Sequence, residues 1–357
     1  MNGQVAGMNA EGRRTLAVVV LSVLVPVSIF AACLFGAYNT EPAQVLSVFK
    51  SALGLGAVKV DSALSFIIID LRLSRVCLSF LVGMSLAVAG TVYQGILRNP
   101  LADPFTLGVS SGAAFGASLA IFAGSTALGV GLWKEFGNML LPLAALIGAM
   151  VALGAVLMLG RIGGRLRRET MVLAGIVVAT FLSALISLLK SLDEDSVTSI
   201  VFWIMGSFQG RGWDHMILFL PYFIAGMIPL IYYSRELDIL SLGETQARHL
   251  GMDVSRVRMF LLIGSGLLTG AAVAVSGIIG FVGLIVPHLV RMFQGAEHRP
   301  LLVSSSLLGG LLLVWSDVIA RSLLSGGEEL PVGVVTALLG GPFFCMVLRS
   351  GFNGGRS

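Results

Sequence analysis

Long apolar runs recur along almost the whole chain, and they constrain its fold more than any other feature. One run extends from Leu16 to Ala37, and similar runs follow towards the C-terminus. Because a helix rises about 1.5 Å per residue, about twenty apolar residues cross the hydrocarbon core of a bilayer. Hydrophobic residues make up 56% of the 357 residues and charged residues only 12%. This composition excludes a water-soluble globule and predicts an all-α membrane protein.

Ten transmembrane helices account for the apolar runs. Their predicted ranges are 16–37, 63–96, 105–124, 137–160, 170–190, 214–234, 258–276, 278–294, 300–323 and 331–349. The first run also resembles a secretory signal peptide, since Ala31-Ala32-Cys33 is similar to a cleavage site, but its length and the nine later spans favour a retained helix. We expect one transmembrane domain over 1–357, with a mixed loop at 39–62 and an extracytoplasmic interfacial segment at 196–213.

Basic residues are distributed unequally between the two predicted sides of the membrane. With ten spans, both termini share a side, and 15 of the 23 Lys and Arg residues fall there. The four lysines fall on the opposite side: Lys50, Lys59, Lys134 and Lys190. The positive-inside rule therefore predicts cytoplasmic termini. The net charge of +4 does not indicate a nucleic-acid partner, because the Arg residues lie between apolar spans and do not line one groove.

A polar stretch at 235–258, which we call the elbow, separates the sixth and seventh spans on the predicted cytoplasmic side. It is rich in Asp, Glu and Arg and contains Gly243 and Gly251. Glycine ends helices at low cost and Glu suits a first turn, so the pattern predicts two short helices broken by glycine. The elbow is too polar for lipid and too short for a domain. It is therefore expected to bind another protein.

Small residues predict how the spans pack. Gly112 and Gly116 are spaced four apart within one span, and Gly266 and Gly270 within another. Such pairs allow close approach of helix backbones in lipid. Tight packing within one subunit is favoured over a dimer seam.

The sequence contains no recognisable catalytic or metal-binding constellation. The four histidines lack metal-ligand spacing, no phosphate-binding GxxxxGK[ST] motif occurs, and three scattered cysteines show no pairing pattern. The chain is therefore predicted to be neither an ATPase nor a metalloenzyme, and to bind no cofactor. A pore without its own source of energy, together with an elbow for a partner, predicts that a separate subunit supplies the energy.

Two alternatives remain open. Asp317 lies within a predicted span, and Arg321 follows on the same helical face. A mutually neutralising pair is favoured, but a secondary transporter that depends on Asp317 is the runner-up, because proton-driven carriers use acidic groups inside the membrane. A membrane enzyme or scaffold is the third possibility. Co-purification of an ATPase would distinguish these classes.

Several long motifs resemble the FecCD-type permeases, the membrane subunits of bacterial ABC importers for iron–siderophore complexes, haem and cobalamin. The resemblance extends in order from about residue 63 to 349. The motifs are LRLSR (71–75), AGTVYQGILRNPLADPFTLGVSSGA (89–113), WIMGSFQGRGW (203–213), LSLGETQARHLG (240–251), SGIIGFVGLIVPHLVR (276–291) and ELPVGVVTALLGGPFF (329–344).

This resemblance implies a type II ABC importer permease fold that works as a homodimer in the bacterial cytoplasmic (inner) membrane. It implies two cytoplasmic ABC ATPase subunits, which would carry the ATP and Mg²⁺, and an extracytoplasmic binding protein that delivers substrate. Which chelate is transported does not follow from the motifs. His288 lies in a motif that the family shares irrespective of substrate, so a structural role is favoured over haem ligation.

The resemblance also implies roles for particular residues. The elbow would be a pair of coupling helices in a cleft of the ATPase, and its central residues are Gly243, Glu244, Ala247, Arg248 and Gly251. Arg72, Arg75 and Arg321 match arginines that dock the binding protein, although from the residues alone snorkelling or local pairing is favoured. Asn99 and Leu101 match the cytoplasmic gate, where a plain helix stop is the alternative. No gate role is carried over to Glu169 or Thr170, because a charged Glu departs from the family pattern.

Overall fold

The computed structural model describes residues 10–36, 38–55, 61–124, 127–163, 165–324 and 327–354. Helices form most of this part of the chain. In chain order they are α1 (Ala10–Leu34), α2 (Pro42–Ala52), α3 (Ser62–Leu97), α4 (Val109–Ala123), α5 (Ala127–Phe136), α6 (Leu140–Leu159), α7 (Arg168–Leu192), α8 (Asp195–Met205), α9 (Trp213–Tyr232), α10 (Ser234–Leu242), α11 (Glu244–His249), α12 (Val254–Ser276), α13 (Val282–Gln294), α14 (His298–Ser322) and α15 (Val332–Gly354). Two short strands, β1 (Arg161–Ile162) and β2 (Arg165–Leu166), pair antiparallel before α7.

The helices agree with the predicted set of about ten spans. Among the described residues, seven helical segments are long and apolar enough to cross a membrane: α1, α3, the segment Trp133–Leu159, α7, α9, α12 and α14. Helices α4, α8, α13 and α15 are shorter and also apolar. Helix α8 covers the first part of the segment 196–213, whose interfacial position stays a prediction, and the other three correspond to predicted spans. The chain is therefore a multi-pass membrane protein.

Three helices form the centre of the bundle. In α3 and α12, 78% of the most apolar 18-residue window is buried within the protein, and in α14 the share is 67%. The corresponding share is only 17% in α1 and 22% in α7 and α9. Since the apolar side chains of these three peripheral helices are largely uncovered by the chain itself, they are available to lipid or to partner subunits.

The eighth span begins later than its predicted first residue, 278. Residues 277–281 are not helical, and α13 begins only at Val282. Gly277 and Phe281 both have positive φ angles, of 70° and 68°. An irregular backbone is tolerated at membrane depth where protein covers it. Gly277 meets this condition, because a Cβ added there would lie 2.3 Å from the carbonyl oxygen of Trp203.

The prediction of a mixed loop at 39–62 was wrong for residues 42–52, which form α2. Pro42 occupies the first turn, where proline is tolerated, and Glu41 and Gln44 form a capping box around the helix start. The two glycine pairs pack within the chain, as predicted. For example, a Cβ added at Gly112 would lie 2.4 Å from the Gly148 carbonyl oxygen on α6.

Polar side chains are concentrated at two opposite ends of the bundle. At the end that carries α10 and α11, which we call the elbow end, side-chain contacts join distant parts of the sequence: Arg14 with Glu297, Arg98 with Leu240, Arg168 with Glu244, Arg258 with Glu244 and His298 with Asp238. The far end holds Arg72, Arg75, Asp317, Arg321 and Glu329. Lys59 and Arg356, which entered the predicted orientation, lie outside the described residues.

Candidate functional site

The elbow forms the two short helices that the sequence predicts. Helix α10 ends at Leu242, and the next residue, Gly243, has a φ of 132°, which is accessible to glycine and rarely adopted by other residues. Helix α11 then begins at Glu244, and Gly251, with a φ of 83°, follows its end. The Asp253 side chain accepts a hydrogen bond from the Arg256 backbone N–H and so caps α12. The elbow is therefore a defined structure and not a solvated loop.

The five residues predicted to couple the elbow to an ATPase lie on different faces of it. Gly243 and Ala247 are buried against the bundle, while Arg248 and Gly251 are exposed. Glu244 lies between these faces, half-buried. A direct contact with a partner protein is open to the exposed residues, whereas the buried ones shape the elbow itself.

Glu244 faces inwards onto a cluster of arginines. Its carboxylate lies 2.5 Å from Arg258 Nη2, 3.6 Å from Arg168 Nε and 4.0 Å from Arg248 Nη2. Partial burial alone would raise the pKa of Glu244, but the hydrogen bond from Arg258 and the three positive charges outweigh it, so the pKa lies below its usual value. Glu244 is therefore ionised at neutral pH.

Arg258 is the most deeply buried of these arginines, with a side chain only 2% exposed. Besides Glu244, it donates a hydrogen bond to the carbonyl oxygen of Leu166 in β2. A buried guanidinium needs a counter-ion, since removing a charge from water is costly. Arg258 thus joins α11, α12 and the strand that precedes α7.

Two further contacts fix α10 to the central helices. Asp238 Oδ1 accepts hydrogen bonds from the backbone N–H of His298 at 2.9 Å and contacts the ring Nδ1 at 2.6 Å. Arg98, at the end of α3, donates to the Leu240 carbonyl oxygen at 2.9 Å. The elbow is therefore attached to both α3 and α14.

The outward face of the elbow carries apolar residues that the sequence reading did not select. Leu242 is 62% exposed and Leu250 is 65% exposed, with exposed Gln246 and His249 between them. Exposed apolar side chains of this size provide contact area for a partner protein. The sequence signal that could have identified them is the presence of these leucines in a charged stretch.

The predicted gate residues lie in the turn after α3. Asn99 and Leu101 are exposed, and Asn99 Oδ1 accepts a hydrogen bond from the Leu101 backbone N–H at 3.0 Å. Asp103 caps the next turn by accepting from Phe105 N at 2.7 Å. Burial raises the pKa of Asp103 to about 6, although its backbone hydrogen bonds oppose this shift. The turn is thus held by its own side chains, and the gate role stays a prediction. Glu169 is exposed in the first turn of α7.

At the far end, Arg75 binds two carboxylates. Its Nη2 lies 2.7 Å from Asp317 Oδ1, its Nε lies 3.0 Å from Asp317 Oδ2, and its Nη1 lies 2.8 Å from Glu329. Arg321 Nε is 3.6 Å from Asp317, and its Nη2 donates to the Ala32 carbonyl oxygen at 2.9 Å. The predicted pair of Asp317 and Arg321 is present, but Arg75 is the nearer partner, which the sequence reading missed.

Arg72 is also engaged within the chain. It lies in the last turn of a π-helical stretch of α3, Phe66–Leu73, and donates to the Cys33 carbonyl oxygen at 2.9 Å and to Thr40 Oγ1 at 2.7 Å. All three arginines predicted to dock a binding protein are therefore buried and partnered in this structure. A cavity of about 570 Å³ lies beside Arg321 and Glu329. It leaves one approach to the cluster open, and docking stays a prediction.

Among the described residues, no group of three or more His, Cys, Asp or Glu side chains is arranged to hold a metal ion. His288 contacts the ring of Phe343, with ring centres 6.1 Å apart. The three cysteines are free thiols. The charged side chains described above instead form ion pairs that join helices.

Comparison with known proteins identifies the family. Residues 22–350 match the FecCD transport family. The chain belongs to this family. An uncharacterized ABC transporter permease protein, YvrB of Bacillus subtilis, is 44% identical over 83% of this chain and 82% of its own. The cobalamin import permease BtuC of Halobacterium salinarum is 40% identical over 81% and 75%. The hemin transport permease HmuU of Yersinia pestis is 40% identical over 81% and 85%.

A solved structure supports the assignment of this chain to the FecCD family. It is an inward-facing conformation of a metal-chelate type ABC transporter, with a TM-score of 0.79 and 32% sequence identity over 93% of this chain and 98% of that one. Family, relatives and fold together make this chain a permease subunit of an ABC importer. Such importers imply ATPase and binding-protein partners.

Proposed function

We propose that two copies of this chain form the pore of an ATP-driven importer in the bacterial cytoplasmic membrane, with both termini in the cytoplasm. Two cytoplasmic ATPase subunits would carry ATP and Mg²⁺, and an extracytoplasmic binding protein would deliver the substrate. This chain would bind no cofactor and catalyse no reaction itself. The unequal distribution of Lys and Arg supports the orientation.

The observation that carries this proposal is the two-sided construction of the elbow. Its inner side is attached to α3, α12 and α14 by hydrogen bonds and ion pairs, while its outer side presents Leu242 and Leu250 to solvent. A surface built in this way can bind a partner and pass the partner's movement to the spanning helices. Closure of the ATPase pair would thereby switch the pore between outward-open and inward-open states.

Substrate delivery would use the far end. The cluster of Arg75 and Arg321 holds two internal carboxylates, Asp317 and Glu329. A carboxylate on the binding protein has the same chemistry and could exchange with them through the adjacent cavity. Asp317, on which a proton-driven carrier would depend, is bound by both arginines, so no observation favours that alternative.

The proposed substrate is a metal chelate: an iron–siderophore complex, haem or cobalamin. Relatives named for cobalamin and for hemin are equally similar to this chain, at 40% identity, so overall similarity does not separate these ligands. A large closed chelate needs a wide path with few fixed charges, and the binding protein can supply the affinity.

The ATPase contact can be tested by replacing Leu250 with Asp. A charge on the apolar face should abolish co-purification of the ATPase and ATP-driven uptake, because a buried unpaired carboxylate weakens an interface by several kcal/mol, roughly 2–5. Leu55→Asp is the matched control, since Leu55 is also 65% exposed and follows α2, outside the elbow. Normal ATPase binding by the Leu250→Asp variant would refute the proposed contact.

A further inference from the structure

The arginine cluster around Glu244 indicates a role for this residue that differs from direct contact with a partner. Its carboxylate points at the bundle, where Arg258 Nη2 lies 2.5 Å away and Arg168 Nε lies 3.6 Å away. The exposed face of the elbow is provided by other side chains, notably Leu242 and Leu250. Glu244 therefore occupies the joint between the elbow and the membrane helices.

Arg258 is the residue that holds this joint between the elbow and the membrane helices together. Its guanidinium bridges three elements, because it lies on α12, binds Glu244 at the start of α11 and donates to Leu166 in β2. It is nearly inaccessible to water, and its Nε has no hydrogen-bond partner among the described residues. An isolated cation at this position would be strongly unfavourable, so the pair with Glu244 must stay intact when the elbow moves.

Arg168 extends the link to α7. It is the first residue of that helix, two residues after the end of β2, and contacts the same Glu244 oxygen as Arg258. A movement of α11 would therefore displace the starts of α7 and α12 together. In contrast, α10 is attached elsewhere, through Asp238 to α14 and through Leu240 to α3.

We propose that Glu244 is a positioning residue that acts through Arg258 as an ionic strut between α11 and the helices α7 and α12, and that it does not bind the ATPase. This inference rests on the proposed importer function. It assigns separate tasks to the two sides of the elbow: the exposed leucines receive the ATPase, and the Glu244–Arg258 pair passes the movement on. Loss of the strut should uncouple ATP hydrolysis from transport and leave the complex assembled.

A double-mutant cycle in the reconstituted complex tests the strut. Glu244→Gln and Arg258→Gln should each reduce ATP-driven uptake by about tenfold or more, and the double variant should be no worse than the poorer single variant, because either change already breaks the link. If the two residues acted independently, their effects on uptake would multiply, and the double variant would lose about a hundredfold. A multiplicative loss, or unchanged uptake in Glu244→Gln, would overturn the proposal.

A second readout separates positioning from partner binding. The Glu244→Gln complex should retain its ATPase subunits and hydrolyse ATP while transport is lost. Arg299→Gln is the control, since Arg299 is an exposed arginine at the start of α14 at the same end of the bundle. If Arg258→Gln does not reach the membrane, Arg258→Met, which also removes the positive charge, replaces it in the cycle and should show the same non-additivity.

The outcomes distinguish the strut from the importer function on which it rests. Loss of the ATPase from the Glu244→Gln complex, with the wild-type complex intact, would overturn only the strut. Failure of the wild-type chain to bind an ATPase would overturn the importer function itself. Retained ATPase with uncoupled hydrolysis supports both.

Discussion

Arg75 and Asp317 are separated by 242 residues in sequence, yet they form the closest ion pair at the far end of the bundle. Both side chains are almost fully shielded from water. A charge in such a site is tolerated only with a well-placed partner. The cluster therefore has a structural role in joining α3 to α14, in addition to any role in binding-protein docking.

Replacing Arg75 with Ala should destabilise the folded protein. The change leaves Asp317 buried with Arg321 as a weaker partner at 3.6 Å, and breaking a buried pair costs about 3–5 kcal/mol. Thermal unfolding in detergent should show a clear decrease in transition temperature. An unchanged transition in Arg75→Ala would contradict a structural role.

Residue-level prediction from sequence succeeded where partners are neighbours along a helix and failed where they are distant. The contact of Asp317 with Arg321 follows from a spacing of four. The contacts of Arg75 with Asp317 and of Glu244 with Arg258 depend on how helices pack, which one sequence does not state. The family motifs drew attention to Glu244 and Arg75, but not to their partners.

At the scale of helices, α3 approaches α13 closely enough that no side chain fits between them. A Cβ added at Gly90 would lie 1.9 Å from the carbonyl oxygen of Gly283. Close backbone contact of this kind is how membrane helices gain packing energy without a hydrophobic driving force. Gly90 is therefore required by the packing of the central helix.

The Gly90→Ala variant should fold poorly. The added methyl group forces α3 and α13 apart, and overpacking of a core costs about 1–3 kcal/mol or more. Size-exclusion chromatography in detergent should show less monodisperse protein, with a lower unfolding temperature. Gly154→Ala is the matched control on α6, because a Cβ there meets nothing within 4 Å. Equal behaviour of the two variants would show that this contact is not limiting.

Helix positions followed from the apolar runs, whereas local backbone irregularities did not. The predicted fifth span, 170–190, lies within α7 (Arg168–Leu192), because a long apolar run has few alternatives in a membrane. The non-helical segment before Val282 was missed, since its residues are as apolar as those of a span. Helix α2 was missed because its mixed composition resembles a loop, although Pro42 and Gln44 were its start signals.

For the whole molecule, the two polar clusters are connected by the central helices. Helix α3 carries Arg72 and Arg75 in its first half and ends at Leu97, next to Arg98, which binds the elbow. Helix α14 begins at His298, which holds Asp238, and ends near Arg321. The same two helices therefore carry contacts at both ends of the bundle. In the proposed importer, these helices would connect the docked binding protein to the ATPase.

The proposed importer subunit has no energy source of its own, and it moves substrate only when an ATPase acts on its elbow. The most direct test is uptake into proteoliposomes, with a panel of labelled iron–siderophore, haem and cobalamin. The complete complex with ATPase, binding protein and ATP should accumulate one of these chelates against its gradient, and the chain alone should accumulate none under a proton gradient. Accumulation of a chelate against its gradient by the chain alone would contradict the proposed dependence on an ATPase.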